Sequence, residues 1–125
     1  MRKLFLLILL FAGLISVQSC ISSKENNIYT IGIDLQSDFE NDMVSVEIDG
    51  QNVFRKKVTT NIDAGMAESI QTKFREGVHT IRISVNGVTK TDQVNLTRCQ
   101  FLGVNYFSAI QKININYYNQ PFSYN

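Results

Sequence analysis

The sequence has no tryptophan, one histidine, one proline and two cysteines, and each scarcity removes a class of function. One imidazole and two thiols cannot close a zinc cage unless carboxylates complete the shell. No Gly-x-Ser-x-Gly turn, His-x-His pair or Cys–His spacing is present to activate a nucleophile. Neither sign of charge dominates: twelve Lys and Arg stand against eleven Asp and Glu. The chain therefore lacks the basic surface that tracks phosphates, and nucleic acid is a poor partner. The length of 125 residues leaves room for one domain. No cofactor is implied.

What is present begins with an address. Arg2 and Lys3 precede an unbroken apolar run over residues 4–15, followed by a short polar stretch. Twelve residues rise only about 18 Å as a helix, short of the roughly 20 residues that span a bilayer, so the run reads as a secretory signal. At its end stands Val17-Gln18-Ser19-Cys20. This site resembles the lipobox of bacterial lipoproteins, with an aliphatic residue at minus three, a small residue at minus one and the obligatory Cys; Gln18 departs from the residue usual at minus two. The resemblance covers about the first twenty residues. It implies a signal peptide over 1–19, acylation of Cys20 on sulfur and amino group, including palmitate, and a membrane anchor. Several acyl chains hold firmly where one binds only marginally. Ile21, where inner-membrane lipoproteins often carry Asp, implies the outer membrane.

Loss of residues 1–19 removes Arg2 and Lys3, leaving ten basic and eleven acidic residues and a side-chain charge of about −1. A lipidated Cys20 leaves Cys99 no second cysteine with which to form an internal disulfide, so a packed, inert thiol is expected at Cys99. Residues 20–27 are small and polar, the composition of a tether, and the domain proper is expected over 28–125.

Within that domain the dominant period is two. Tyr29, Ile31, Ile33 and Leu35 alternate with polar or small residues; so do Val44, Val46 and Ile48, and again His79, Ile81, Ile83 and Val85. Asp49-Gly50 and Asn86-Gly87 supply the positive φ angles of tight hairpin turns. Further strands are expected over 51–60, 69–74 and 88–96. One face of a next-to-last strand carries Leu102, Val104 and Tyr106, and one face of the last carries Ile113, Ile115 and Tyr117. Helical periodicity is not found. The reading is an all-β, single antiparallel β-sandwich of about 7–8 strands, whose pattern resembles the immunoglobulin-like or transthyretin-like kind. Pro121 places residues 121–125 on an edge or in a tail.

Four features could carry chemistry. Asp38, Glu40 and Asp42 alternate as calcium-loop ligands do, but the sixth position of such a loop falls on Met43 where Gly is required, so a solvated loop is expected and no metal is assigned. His79, inward in phase, is read as a packed or rim histidine; an enzyme would require it to meet Cys99, a Ser or a carboxylate in a cleft. Arg55-Lys56-Lys57 reads as a solvated edge strand guarded by lysines. Phe101, Phe107, Tyr118, Phe122 and Tyr124 stand out of phase with the core set, and rings dominate interface energetics. Phe107, Tyr118, Phe101 and Tyr124 are therefore the ligand-binding candidates, with Phe107 and Tyr118 first. The expected function is a lipid-anchored envelope binding or accessory module without catalytic activity, meeting an envelope protein or a glycan. The alternative is an assembly component that pairs an edge strand with a partner protein.

Overall fold

The period-two alternation becomes eight strands in the computed structural model, which describes residues 27–124. They are β1 (Ile28–Leu35), β2 (Asp42–Ile48), β3 (Gln51–Val58), β4 (Glu68–Arg75), β5 (Gly77–Val85), β6 (Val88–Leu96), β7 (Gln100–Phe107) and β8 (Lys112–Tyr118). A single 3₁₀ turn, Ser108–Ile110, joins β7 to β8. The signal segment, Cys20 and most of the tether lie outside the described residues.

Two four-stranded sheets, in the orders β4-β1-β7-β8 and β3-β2-β5-β6, pack face to face as a β-sandwich. All pairings are antiparallel except that of β1 with β7, which run parallel. Alternation of side chains records which face is buried and is blind to strand direction, which explains why the sequence did not announce a mixed sheet. Ile31, Ile33, Leu35, Val44, Val46, Ile48, Ile81, Ile83, Leu96 and Leu102 lose all solvent contact between the sheets. Each such side chain contributes about 1.5–3 kcal/mol by leaving water.

The expected turns form where they were read. Asp49 and Gly50 take φ of 53° and 79°, and Asn86 and Gly87 take 48° and 85°. Asn86 also works as a side chain: its Oδ1 accepts the Met43 N–H at 2.9 Å and its Nδ2 donates to Asp42 Oδ1 at 2.6 Å.

The seams where the sheets meet are each tied by one polar pair. Tyr117 of β8 donates its hydroxyl proton to Asp92 of β6, and Lys56 of β3 lies 3.3 Å from Glu68 of β4. Tyr117 was expected in the core. It points inward but sits at the end of an edge strand, so its ring stays partly exposed and its hydroxyl finds the facing sheet. Burial and the neighbouring carboxylate both push that phenol well above its ordinary range. Arg55, Lys56 and Lys57 are exposed on edge strand β3.

Candidate functional site

Strand direction decides which loops meet. With β1 and β7 parallel and every other pair antiparallel, all odd-numbered strands point one way. The connections 36–41, 59–67, 86–87 and 107–111 therefore gather at one end of the sandwich. Asn27, where the tether enters, lies at the other end with 49–50, 76 and 97–99. The eight residues of β1 separate the two ends by about 27 Å.

The end away from the tether holds a cleft of about 760 Å³ lined from three loops, with Asp38, Phe39 and Glu40 on one, Thr59, Thr60, Ile62 and Gly65 on the second, and Phe107, Ser108 and Ala109 on the third. Its walls are fixed by hydrogen bonds that the loop residues supply. Thr60 Oγ1 accepts the Phe39 N–H at 3.0 Å and donates to the Gln36 carbonyl at 2.9 Å. Thr59 Oγ1 accepts the Asn41 N–H at 2.8 Å. Asn105 Oδ1 accepts the Ser37 N–H at 3.0 Å. Asn61 Oδ1 accepts the N–H groups of Asp63 and Ala64. The left-handed φ values of Asp38 (71°) and Asn41 (51°) let the first loop curl tightly. Phe39 is buried beneath the cleft, stacked on Tyr106 with ring centroids 6.3 Å apart.

Three large apolar side chains cluster at this end in water: Ile62 is 91% exposed, Ile110 68% and Phe107 40%. Each sits at a loop or strand tip where packing cannot reach it. Among the described residues, the carboxylates of Asp38 and Glu40 meet no hydrogen-bond or ion-pair partner. Asp42 parts company with them. It is buried, accepting the Glu40 N–H at 2.9 Å and the Asn86 amide, so the alternating acids split into two cleft residues and one structural one.

The aromatic candidates also divide. Phe101 is buried, 5% exposed, its ring lying over Gly32 of β1; no ligand reaches it. Tyr118, its register partner, and Phe122 meet edge to face with centroids 4.5 Å apart, and Phe122 leads to Tyr124. Tyr124 fastens the C-terminal tail across the outer face of the sheet. Its hydroxyl donates to Asp34 Oδ2 at 2.7 Å and accepts from Gln36 Nε2 at 3.1 Å. Burial first, and Asp34 beside it, push this phenol up to about 12. Tyr118 itself is exposed, 45% against 40% for Phe107, on the outer face away from the cleft. Phe107, six residues from Phe101 along β7, is about 20 Å away at the cleft. The four rings were expected as one site; the tail's path makes three of them a cover, and Phe107 alone joins the cleft.

His79 stands at the tether end, away from the cleft. One ring nitrogen faces Asp49 Oδ2 at 2.6 Å, the other the Arg75 carbonyl at 2.5 Å, and Phe74 meets the ring edge to face. Burial opposes its charge, but the Asp49 and Arg75 hydrogen bonds outweigh it and hold the imidazole above its ordinary value. The same bond from His79, and then the Thr80 N–H, holds Asp49 below the usual carboxylate range. With both nitrogens occupied, His79 braces three strand ends.

Cys99 is buried in the turn between β6 and β7, its sulfur accepting the Thr30 N–H at 3.4 Å. It is not a free thiol. This corrects the expectation of an inert thiol. Comparison with protein-family models, curated proteins and solved structures finds no match.

Proposed function

We propose that this chain is a lipid-anchored binding module of a bacterial envelope, held at the outer membrane through acylated Cys20, with no turnover chemistry of its own. One observation carries the binding reading: a concave, preorganised cleft lined by exposed Phe107 and Ile62 stands at the end of the domain opposite the tether. That placement would present the cleft away from the anchoring bilayer. His79 meets a carboxylate, Asp49, but at the tether end and outside the cleft lining, with its second nitrogen on the Arg75 carbonyl, which supports the non-catalytic part. The strand order also favours the transthyretin-like kind of sandwich over the immunoglobulin-like kind, whose sheets pair the first strand with the second.

Two measurements test this reading. The anchor rests on the Val17-Gln18-Ser19-Cys20 site alone. Mass spectrometry of the protein extracted from envelopes therefore decides the anchor. An N-terminal diacylglyceryl Cys20 supports it, whereas an unacylated Cys20 peptide, or one joined to Cys99, removes it. For the binding surface, a photo-crosslinking residue at position 107 should capture a partner that the same residue at position 90, on edge strand β6, does not. Capture from position 90 alone would favour the alternative, an assembly component that recruits a partner strand by edge pairing.

A further inference from the structure

The cleft also constrains what could fill it, an argument that rests on the binding reading above. Its lining is mainly apolar, and the loops 36–41, 59–67 and 107–111 carry three acids, Asp38, Glu40 and Asp63, with no Lys or Arg. The neighbouring cations Lys57 and Lys112 stand on strands and line none of it. A partner burying Phe107 and Ile62 would strip water from Asp38 and Glu40, which have no protein cation to compensate them. An apolar occupant alone would leave those charges stranded, and an acidic one would be repelled. A glycan would find carboxylates and hydroxyls but one exposed ring and no Trp to stack on, and it would bring no charge to offset Asp38 and Glu40.

We propose that the cleft between Asp38, Ile62 and Phe107 binds a segment of a partner protein in which aliphatic and basic side chains alternate. The aliphatic groups would pack between Ile62 and Phe107 over Phe39, and the cations would reach Asp38 and Glu40 at the rim. The volume of about 760 Å³ lies within the range of about 300–1,000 Å³ usual for ligand sites. A second copy of this end is a poor occupant, since it would bring acid to acid.

The test uses the full chain in non-ionic detergent with three fluorescein-labelled octapeptides, alternating leucine–lysine, leucine–glutamate and serine–lysine. Fluorescence anisotropy is read against protein-free micelles, and amide shifts locate the site. The leucine–lysine peptide should bind, shifting amides in 36–41, 59–67 and 107–111. The other two should bind at least ten-fold more weakly. Ile62→Ser, at a position already in water, should weaken binding about ten-fold. Asp38→Asn and Glu40→Gln should cost about three-fold each and flatten the salt dependence. Asn tolerates the left-handed φ of Asp38, so the loop keeps its form. The proposal is overturned by equal binding of the leucine–glutamate peptide, by no binding of the leucine–lysine peptide, by shifts confined to the strand edges, or by indifference to both charge variants. Equal binding of the leucine–glutamate peptide at these same loops would leave the binding reading standing while removing the basic partner, and an unacylated Cys20 would remove the anchor without touching this result.

Discussion

Gly32→Ala is the sharpest probe of how the outer face of the β4-β1-β7-β8 sheet is built. Gly32 opposes Phe101 across the parallel β1–β7 pair. A β-carbon on Gly32 would stand 2.6 Å from Phe101 Cδ1 and 3.0 Å from Cε1, well inside contact distance. The ring is buried and has no free end to swing, so relief requires shifting ring or strand at about 1–3 kcal/mol. Alanine returns about 0.5–1 kcal/mol through lower unfolded-chain entropy. With the clash at mid-range, about 2 kcal/mol, the net loss is about 1–1.5 kcal/mol, a fall in thermal midpoint of about 4–12 °C for a domain this size. Gly103→Ala makes the control. Its β-carbon meets Gln36 Oε1 at the same 2.6 Å, but that obstacle is the far end of a flexible, half-buried side chain. Gln36 would swing away, giving up its bonds to Asn105 and Tyr124 and leaving stability within about 1 kcal/mol of the parent. Urea unfolding at constant slope reads both, and Phe101→Leu added to Gly32→Ala should recover part of the loss. A Gly32→Ala protein as stable as the parent, or a Gly103→Ala protein less stable than Gly32→Ala, would refute the account of this face.

Three further outcomes are expected. Gly87→Val should lose about 1–2 kcal/mol, because φ at Gly87 is +85° and a β-carbon there meets nothing within 4 Å, so strain alone acts; Gly87→Asn should lose far less, and equal losses would deny the strain. His79 has its pKa raised from 6.5 and Asp49 its own lowered from 3.8. The His79 contribution is thus complete below pH 6.5 and lost as pH rises through the raised value, while the Asp49 contribution is complete above 3.8 and lost as pH falls through the lowered one. Urea midpoints should fall between pH 5.5 and 8.5 in the parent and stay flatter in His79→Gln, and identical profiles would count against the brace. Tyr117→Phe and Asp92→Asn should each lose about 1 kcal/mol, and the double variant no more than the larger single loss; additive losses in the urea midpoints would show that the two side chains do not act as a pair.

The strands were legible because one sheet face is buried, which imprints alternation on Ile31, Ile33 and Leu35 and on Val44, Val46 and Ile48. The hairpins were legible because Asp49-Gly50 and Asn86-Gly87 carry the positive φ themselves. The outer face was not. That Phe101 and Tyr118 oppose the core phase is correct, and Tyr118 is exposed, yet for Phe101 opposition to one core does not mean exposure when a neighbouring strand and the tail lie beside it. A signal for that second layer stood in the strands. Gly32 and Gly103 are glycines on the solvent phase, and a strand glycine marks a place where something else comes close: here the Phe101 ring and the Gln36 side chain.

The cleft was hidden for a different reason. The acidic loop and the aromatic hairpin lie some seventy residues apart in the chain, and no local pattern joins them. What joins them is parity. If every connection between successive strands reverses direction, all odd-to-even connections fall at one end, whatever the order of strands within each sheet. Residues 36–41, 59–67 and 107–111 must then share an end, and 49–50, 76 and the tether must share the other. The count of eight strands therefore already contained the meeting of Asp38 with Phe107. Strand order was needed only to decide how closely they approach. A one-strand error in that count before β7 would have sent Phe107 to the tether end, so the placement of the cleft depends on each turn, above all on the Glu76–Gly77 corner and the short turn carrying Cys99, being a true reversal.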